Sequence, residues 1–196
     1  MPDKVQIINE NEIFRKYFFW MVEAVVRFER YNGEMSDPIN RMSFERGDAV
    51  AAILHNPADN TIVLIEQFRY PAYHKGKAWV IELPAGVVES GEDPDETMKR
   101  EIEEETGYRA AVVHHLQTFF VSPGGTSERI FLYYARINPD DRISDGGGLA
   151  EENEDIKVMH PTIDEALQLM QDKKITDAKT LIGLQWLQLN RDNLLE

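Results

Sequence analysis
The sequence predicts an α/β fold: a mixed sheet sandwiched between helices (α/β/α), preceded by an N-terminal antiparallel β subdomain. Three observations predict it. Apolar runs of strand length recur from Ala49 onward, the last thirty or so residues carry two helix-like stretches, and residues 21–45 alternate around Asn32-Gly33. An Asn-Gly pair flanked by alternating residues is the strongest short-range hairpin signal.

Residues 1–20 have no clear period, although FRKYFFW at 14–20 is rich in aromatics beside two cations. From there Val22, Ala24, Val26 and Phe28 face one way, and Glu23 and Arg27 the other. Residues 1–45 are therefore read as the β subdomain and 46–196 as the main domain. The aromatics fit core packing, a dimer surface or a base-stacking platform.

AVAAIL (49–54), TIVLIEQFRY (61–70) and AWVIELPAG (78–86) read as buried strands, with the turn HNPADN between the first two. Two more strands are expected at about 110–121 and 129–137, separated by SPGGTSE. The polar loop 138–155 is long for a compact domain, and such loops are usually functional or disordered. Its glycines point to mobility, and Glu151, Glu152, Glu154 and Asp155 to metal ligands, a base or simply a solvated acidic face. IKVMH (156–160) follows as a short strand. IDEALQLMQDK (163–173) and DAKTLIGLQWLQLN (177–190) close the chain as helices.

Between the third and fourth of these strands lies the most informative stretch, GVVESGEDPDETMKREIEEETGY, residues 86–108. Asp93 can cap a helix, Pro94 suits its first position, Glu96 can complete a capping box and Gly107 can supply a left-handed stop. The spacing predicts one helix over 94–106. At 100° per residue Met98 and Ile102 share a stripe, and Glu105 falls between Met98 and Glu101, with Glu104 at the edge. An acidic solvated helix with Glu96–Arg100 and Lys99–Glu103 pairs explains the outer face. It does not explain Glu105. Carboxylates at i, i+3 and i+4 resist burial unless a cation sits among them, and Mg²⁺ prefers such oxygen ligands.

Composition bounds the rest. The chain has 196 residues, 42% hydrophobic and 29% charged, ordinary values for a globular protein. A net charge of −14 argues against a nucleic-acid partner or a basic membrane contact. With no cysteine, disulfides, thiolate metal sites and a cysteine nucleophile are excluded. Neither a signal peptide nor an apolar run of transmembrane length is visible, and a cytoplasmic location is expected.

The order Gly86, five residues, Glu92, seven residues, Arg100-Glu101-Ile102, one residue, Glu104-Glu105, one residue, Gly107-Tyr108 resembles the Nudix box at every fixed position. Within the Nudix superfamily the chain looks like the bacterial ADP-ribose pyrophosphatases. IEQFRYPAY (65–73), ELPAG (82–86), SPGGTSER (122–129), GLAEENEDI (148–156) and IGLQWLQL carry that likeness, as does Pro123, fifteen residues beyond Tyr108. YNGEM (31–35) and FERG (44–47) extend it into the N-terminal subdomain.

The resemblance implies a Nudix-type sandwich and a homodimer that exchanges the N-terminal subdomain. It also implies hydrolysis of ADP-ribose to AMP and ribose 5-phosphate with roughly two or three Mg²⁺ ions, Mn²⁺ being a possible substitute. Glu101 and Glu105 would be the chief metal ligands, with the Ala85 carbonyl, Glu154 and Glu104 completing the set. Glu152 would be the general base. Arg69 and Glu128 would hold the phosphates and the terminal ribose, Arg41 would assist, Phe18 would stack on adenine, and Arg100 would orient the glutamates. Two alternatives stay open: a hydrolase of another nucleotide sugar, such as GDP-mannose or ADP-glucose, and a Nudix-like sensor that binds ADP-ribose without cleaving it.

Overall fold
The computed structural model describes residues 1–194; Leu195 and Glu196, the end of the expected main domain, lie outside the described residues. Two compact units form, Met1–Asp48 with Phe120–Arg129, and Ala49–Phe119 with the chain from Ile130 onward.

In the first unit β1 (Val5–Lys16), β2 (Phe19–Phe28) and β3 (Ile39–Glu45) make an antiparallel sheet in that order. β1 was not legible in the sequence, and its pairing explains why. The register slips between Ile7 and Asn9 and again between Glu12 and Phe14, so the alternation restarts twice within twelve residues. A turn built on Asn32 and Gly33, the latter at φ 86°, leads from β2 to β3, as the Asn-Gly signal predicts. The segment 122–128 joins this unit: the Phe44 N–H donates to the Gly125 carbonyl at 2.8 Å.

The second unit is built around β4 (Ala49–Asn56), buried along its whole length. β5 (Thr61–Phe68) leads into a short helix α1 (Tyr70–Tyr73), then β6 (Trp79–Glu82) and β7 (Ala85–Val87). Helix α2 (Pro94–Glu101) continues as a π-helical turn, Ile102–Thr106. β8 (His114–Phe120), β9 (Arg129–Arg136), β10 (Lys157–Met159), α3 (Ile163–Gln171) and α4 (Ala178–Leu189) complete it. The sheet runs β10-β5-β4-β9-β8, with β6 on β5 and β7 on β4. It is mixed, because β4 is parallel to β9 and antiparallel to β5 and β7.

The period of β4 divides the core into two layers. Ala49, Ala51 and Ile53 pack with Ile163, Ala166 and Leu167 of α3 and Leu184 and Leu187 of α4. Val50, Ala52 and Leu54 pack with Met98 of α2 and Ile102. An unbroken apolar strand covered by helices on both faces is what AVAAIL encodes. The expected α/β/α sandwich is therefore the observed one. Among the described residues no helix is long and apolar enough to cross a membrane.

Candidate active site
Asp93 caps α2 by accepting from the Asp95 N–H at 2.8 Å, and Pro94 occupies the first turn. The capping box does not close, because the Glu96 carboxylate is taken by Lys99 Nζ at 2.7 Å. The outer pairs also differ from the regular-helix expectation. Arg100 turns away from Glu96 to three other carboxylates, at 2.9 Å from Glu101, 3.0 Å from Glu104 and 3.5 Å from Glu92, while Glu103 pairs with Arg109. A guanidinium beside this much buried negative charge is worth more than one on an exposed i,i+4 pair.

The predicted helix ends as α-helix at Glu101, and Glu104 and Glu105 project from the π turn. Single π turns often mark functional segments. Glu105 is 2% exposed, and its Oε2 accepts from the Ala85 N–H at 2.8 Å. Gly86 follows directly, and a Cβ there would lie 1.9 Å from the carboxyl carbon of Glu101. Strand β7 thus holds Glu105 with one residue and makes room for Glu101 with the next.

Burial pushes the Glu101 carboxyl up to about 7; Arg100 opposes the rise, while Glu104 and Glu154 reinforce it. Burial also raises Glu105 well above the usual carboxylate range, against the Ala85 N–H and with the help of Glu101 and Glu154. Both groups hold protons more tightly folded than unfolded. The stabilisation from Glu101 is complete below the ordinary value of 4.5 and is lost as pH rises through about 7, and that from Glu105 is lost in the same direction. In EDTA, Tm is therefore expected to fall between about pH 5 and 8, and added Mg²⁺ should cancel most of the fall by favouring the ionised forms. Thermal melts at the two pH values, with and without Mg²⁺, check this; a metal-free Tm that rises with pH would contradict it.

The triple glycine ties the long loop to the end of the π turn. Gly146, Gly147 and Gly148 all have positive φ, at 67°, 106° and 82°. The Gly147 N–H donates to the Glu105 carbonyl at 2.9 Å and the Gly148 N–H to the Glu104 carbonyl at 3.1 Å, satisfying groups a helix end leaves open. Gly148 also admits Glu154, whose Oε2 would lie 2.5 Å from a Cβ there and accepts from the Leu149 N–H at 2.9 Å. Glu152, exposed, stands two residues earlier on the short turn Ala150–Glu152.

Arg69 is placed by a partner the sequence reading missed. Its Nε and Nη2 meet the two oxygens of buried Glu82 at 2.9 and 3.0 Å, and Lys179 of α4 binds the same carboxylate. Burial pushes Glu82 up, but the two cations outweigh it and hold Glu82 below the usual range. Glu82 lies within the motif ELPAG, so its position was visible and its role was not.

The first unit carries the remaining predicted residues. Phe18 is exposed at the β1–β2 turn, its ring 4.0 Å from that of Phe19. Arg41 lies on β3 opposite Ala24 and lines a groove of about 260 Å³ with Trp20, Ser43 and Glu45. Glu128 is paired with Arg46 at 3.5 Å.

Among the described residues no three acidic or histidine side chains are spaced for immediate chelation. Arg100, the Ala85 N–H and the Leu149 N–H hold the glutamates instead. The donor set nevertheless fits a hard divalent cation: Glu101, Glu104, Glu105 and Glu154 offer only oxygen, and burial, reinforced by neighbouring carboxylates, raises the first and third.

These glutamates, with Gly86 making room for Glu101, stand on the α2 segment of an α/β/α sandwich. A family model described as the NUDIX domain matches residues 45–181. The ADP-ribose pyrophosphatase of Escherichia coli (strain K12) is 36% identical over 191 residues, 97% of this chain and 90% of that protein. The enzyme of the same name from Haemophilus influenzae is 36% identical over 192 residues, 95% of this chain and 87% of that protein. The GDP-mannose pyrophosphatase of Pectobacterium atrosepticum is 33% identical over 187 residues, 94% of each. A crystal structure of an ADP compounds hydrolase shares the fold at TM-score 0.70 and 20% identity, over 96% of each chain. The chain belongs to the Nudix family and is a Nudix hydrolase. Nudix hydrolases generally use divalent metal ions.

Proposed function
We propose that this hydrolase cleaves the diphosphate of ADP-ribose to AMP and ribose 5-phosphate, using Mg²⁺. The observation that carries the reading is the acidic face of buried Glu105 and half-buried Glu101, with Arg69 held by Glu82 three residues before Ala85, whose N–H holds Glu105. The 36% identity to ADP-ribose pyrophosphatases over nearly the whole chain supports the substrate.

Glu101, Glu105, Glu154 and the Ala85 carbonyl would hold the cations, with Glu104 at the edge. Bound there, roughly two or three Mg²⁺ ions, or Mn²⁺ in their place, would neutralise the diphosphate and acidify the attacking water. Arg69 binds the diphosphate through the edge of its fork that Glu82 leaves open. Glu152 takes a proton from the water as its oxygen bonds to one phosphorus. The bond from that phosphorus to the bridging oxygen then breaks, and the other phosphate leaves carrying that oxygen and the electron pair. Glu128 is assigned the terminal ribose, Arg41 a supporting phosphate contact and Phe18 the adenine face.

We further propose a homodimer in the cytoplasm, with 1–45 as the exchanged subdomain and 46–196 as the catalytic one. Exposed Val5, Ile7, Ile8, Ile13 and Phe14 on β1 support an apolar association surface, and the lack of cysteine suits a reducing compartment.

One other substrate class has its own support. The likeness to the GDP-mannose pyrophosphatase of Pectobacterium atrosepticum covers 94% of the chain, so GDP-mannose, and with it ADP-glucose, is the second reading. Chromatographic product analysis with ADP-ribose, GDP-mannose, ADP-glucose and NADH separates them. AMP with ribose 5-phosphate from ADP-ribose is the expected preference. Faster GMP release from GDP-mannose would overturn the substrate and keep the metal helix; tight ADP-ribose binding without turnover would point to a sensor.

A further inference from the structure
We infer that Lys179, on the first turn of α4 and outside the Nudix box, is a positioning residue for the diphosphate site. It acts through the buried carboxylate of Glu82, which it shares with Arg69. The inference rests on the assignment of Arg69 to the diphosphate.

Glu82 has only 2% of its surface exposed, and it is bracketed by two cations that arrive from different elements. Arg69, at the end of β5, takes both oxygens side-on; Lys179, ninety-seven residues away from Glu82 in sequence, binds Oε2 from the other layer of the sandwich. Arg69 alone would leave the carboxylate free to turn with the guanidinium. A second cation on one oxygen fixes the carboxylate plane, and the planar fork of Arg69 must follow it.

Lys179 is itself fixed. Asp177, the cap of α4, lies 3.1 Å from its ammonium and also accepts from the Thr180 N–H at 2.9 Å and hydroxyl at 2.6 Å. The Thr180 hydroxyl in turn accepts from the Leu83 N–H at 2.8 Å. Two residues further on, the Ala85 N–H holds Glu105. The start of α4 therefore clamps Glu82 and Leu83, the segment that orients Arg69 on one side and Glu105 on the other. A second cation is suited to this place because a single donor reaching Oε2 leaves the bidentate contact to Arg69.

The test is steady-state kinetics on ADP-ribose with Mg²⁺ for Lys179→Met, Lys179→Arg, Arg69→Ala and the Lys179→Met/Arg69→Ala pair, each checked for a cooperative melt. Lys179→Met is expected to raise KM about tenfold while kcat stays within about threefold, and Lys179→Arg to recover KM to within about threefold of the parent. In the Arg69→Ala background the Lys179 change should add less than about twofold, because its effect passes through Arg69. Should Lys179→Met fail to melt cooperatively, Lys179→Gln, which keeps bulk and a donor, carries the same expectation. Equal factors in both backgrounds would overturn the inference and leave the diphosphate role of Arg69 standing. An unchanged KM in Arg69→Ala would instead sink that role, and the inference with it.

Discussion

Gly86→Ala is expected to lower kcat/KM for ADP-ribose by about 10²-fold or more, because displacing a catalytic group by about 1 Å costs on that order. Gly86 is not selected by backbone conformation but by contact. A methyl group there would meet the Glu101 carboxyl carbon at 1.9 Å and its Oε1 at 2.1 Å, far inside any tolerable approach. The backbone of β7 cannot retreat easily, since Gly86 pairs with Val50 on β4 at the centre of the sheet. Glu101 must therefore move, and with it the groups that share Arg100. Initial-rate kinetics with a thermal melt checks this: a folded variant with near-parental kcat/KM would show that Glu101 has no catalytic position to lose.

The second large effect concerns a residue held quite differently. Glu152→Gln is expected to reduce kcat by about 10² to 10⁴-fold, the range for loss of a positioned base, with Mn²⁺ affinity changed by less than about threefold. Glu152 is exposed on its short turn, whereas Glu154, two residues later, is partly buried and bound to the Leu149 N–H. Such a difference suits one carboxylate that meets the attacking water and another that stays with the cations. Parallel losses of kcat and Mn²⁺ affinity would place Glu152 in the metal shell instead.

Much of this was legible in the sequence, for reasons that differ by residue. β4 could be read because an unbroken apolar run has one meaning in a sheet covered on both faces. Glu105 could be read because a helical projection places it between Met98 and Glu101, and it is buried as that projection requires. The projection used a regular helix, however, and the π turn at Ile102–Thr106 leaves no mark in composition. β1 was missed because two bulges break its alternation. The glycines at 146–148 signal freedom and positive φ equally, so their bonds to the Glu104 and Glu105 carbonyls leave no mark in the sequence. Lys179 was invisible because its partner lies in a distant strand, and no local pattern reports a contact ninety-seven residues away.

The most direct test of the cation site is a titration of Mn²⁺, followed by its electron paramagnetic resonance, into the parent protein and into Glu105→Gln, with ADP-ribose turnover measured in parallel and in EDTA. A site formed by Glu101, Glu105 and Glu154 predicts saturable Mn²⁺ binding by the parent, at least about tenfold weaker binding by Glu105→Gln, and no turnover in EDTA. Undiminished Mn²⁺ binding by Glu105→Gln, or hydrolysis that continues in EDTA, would contradict it.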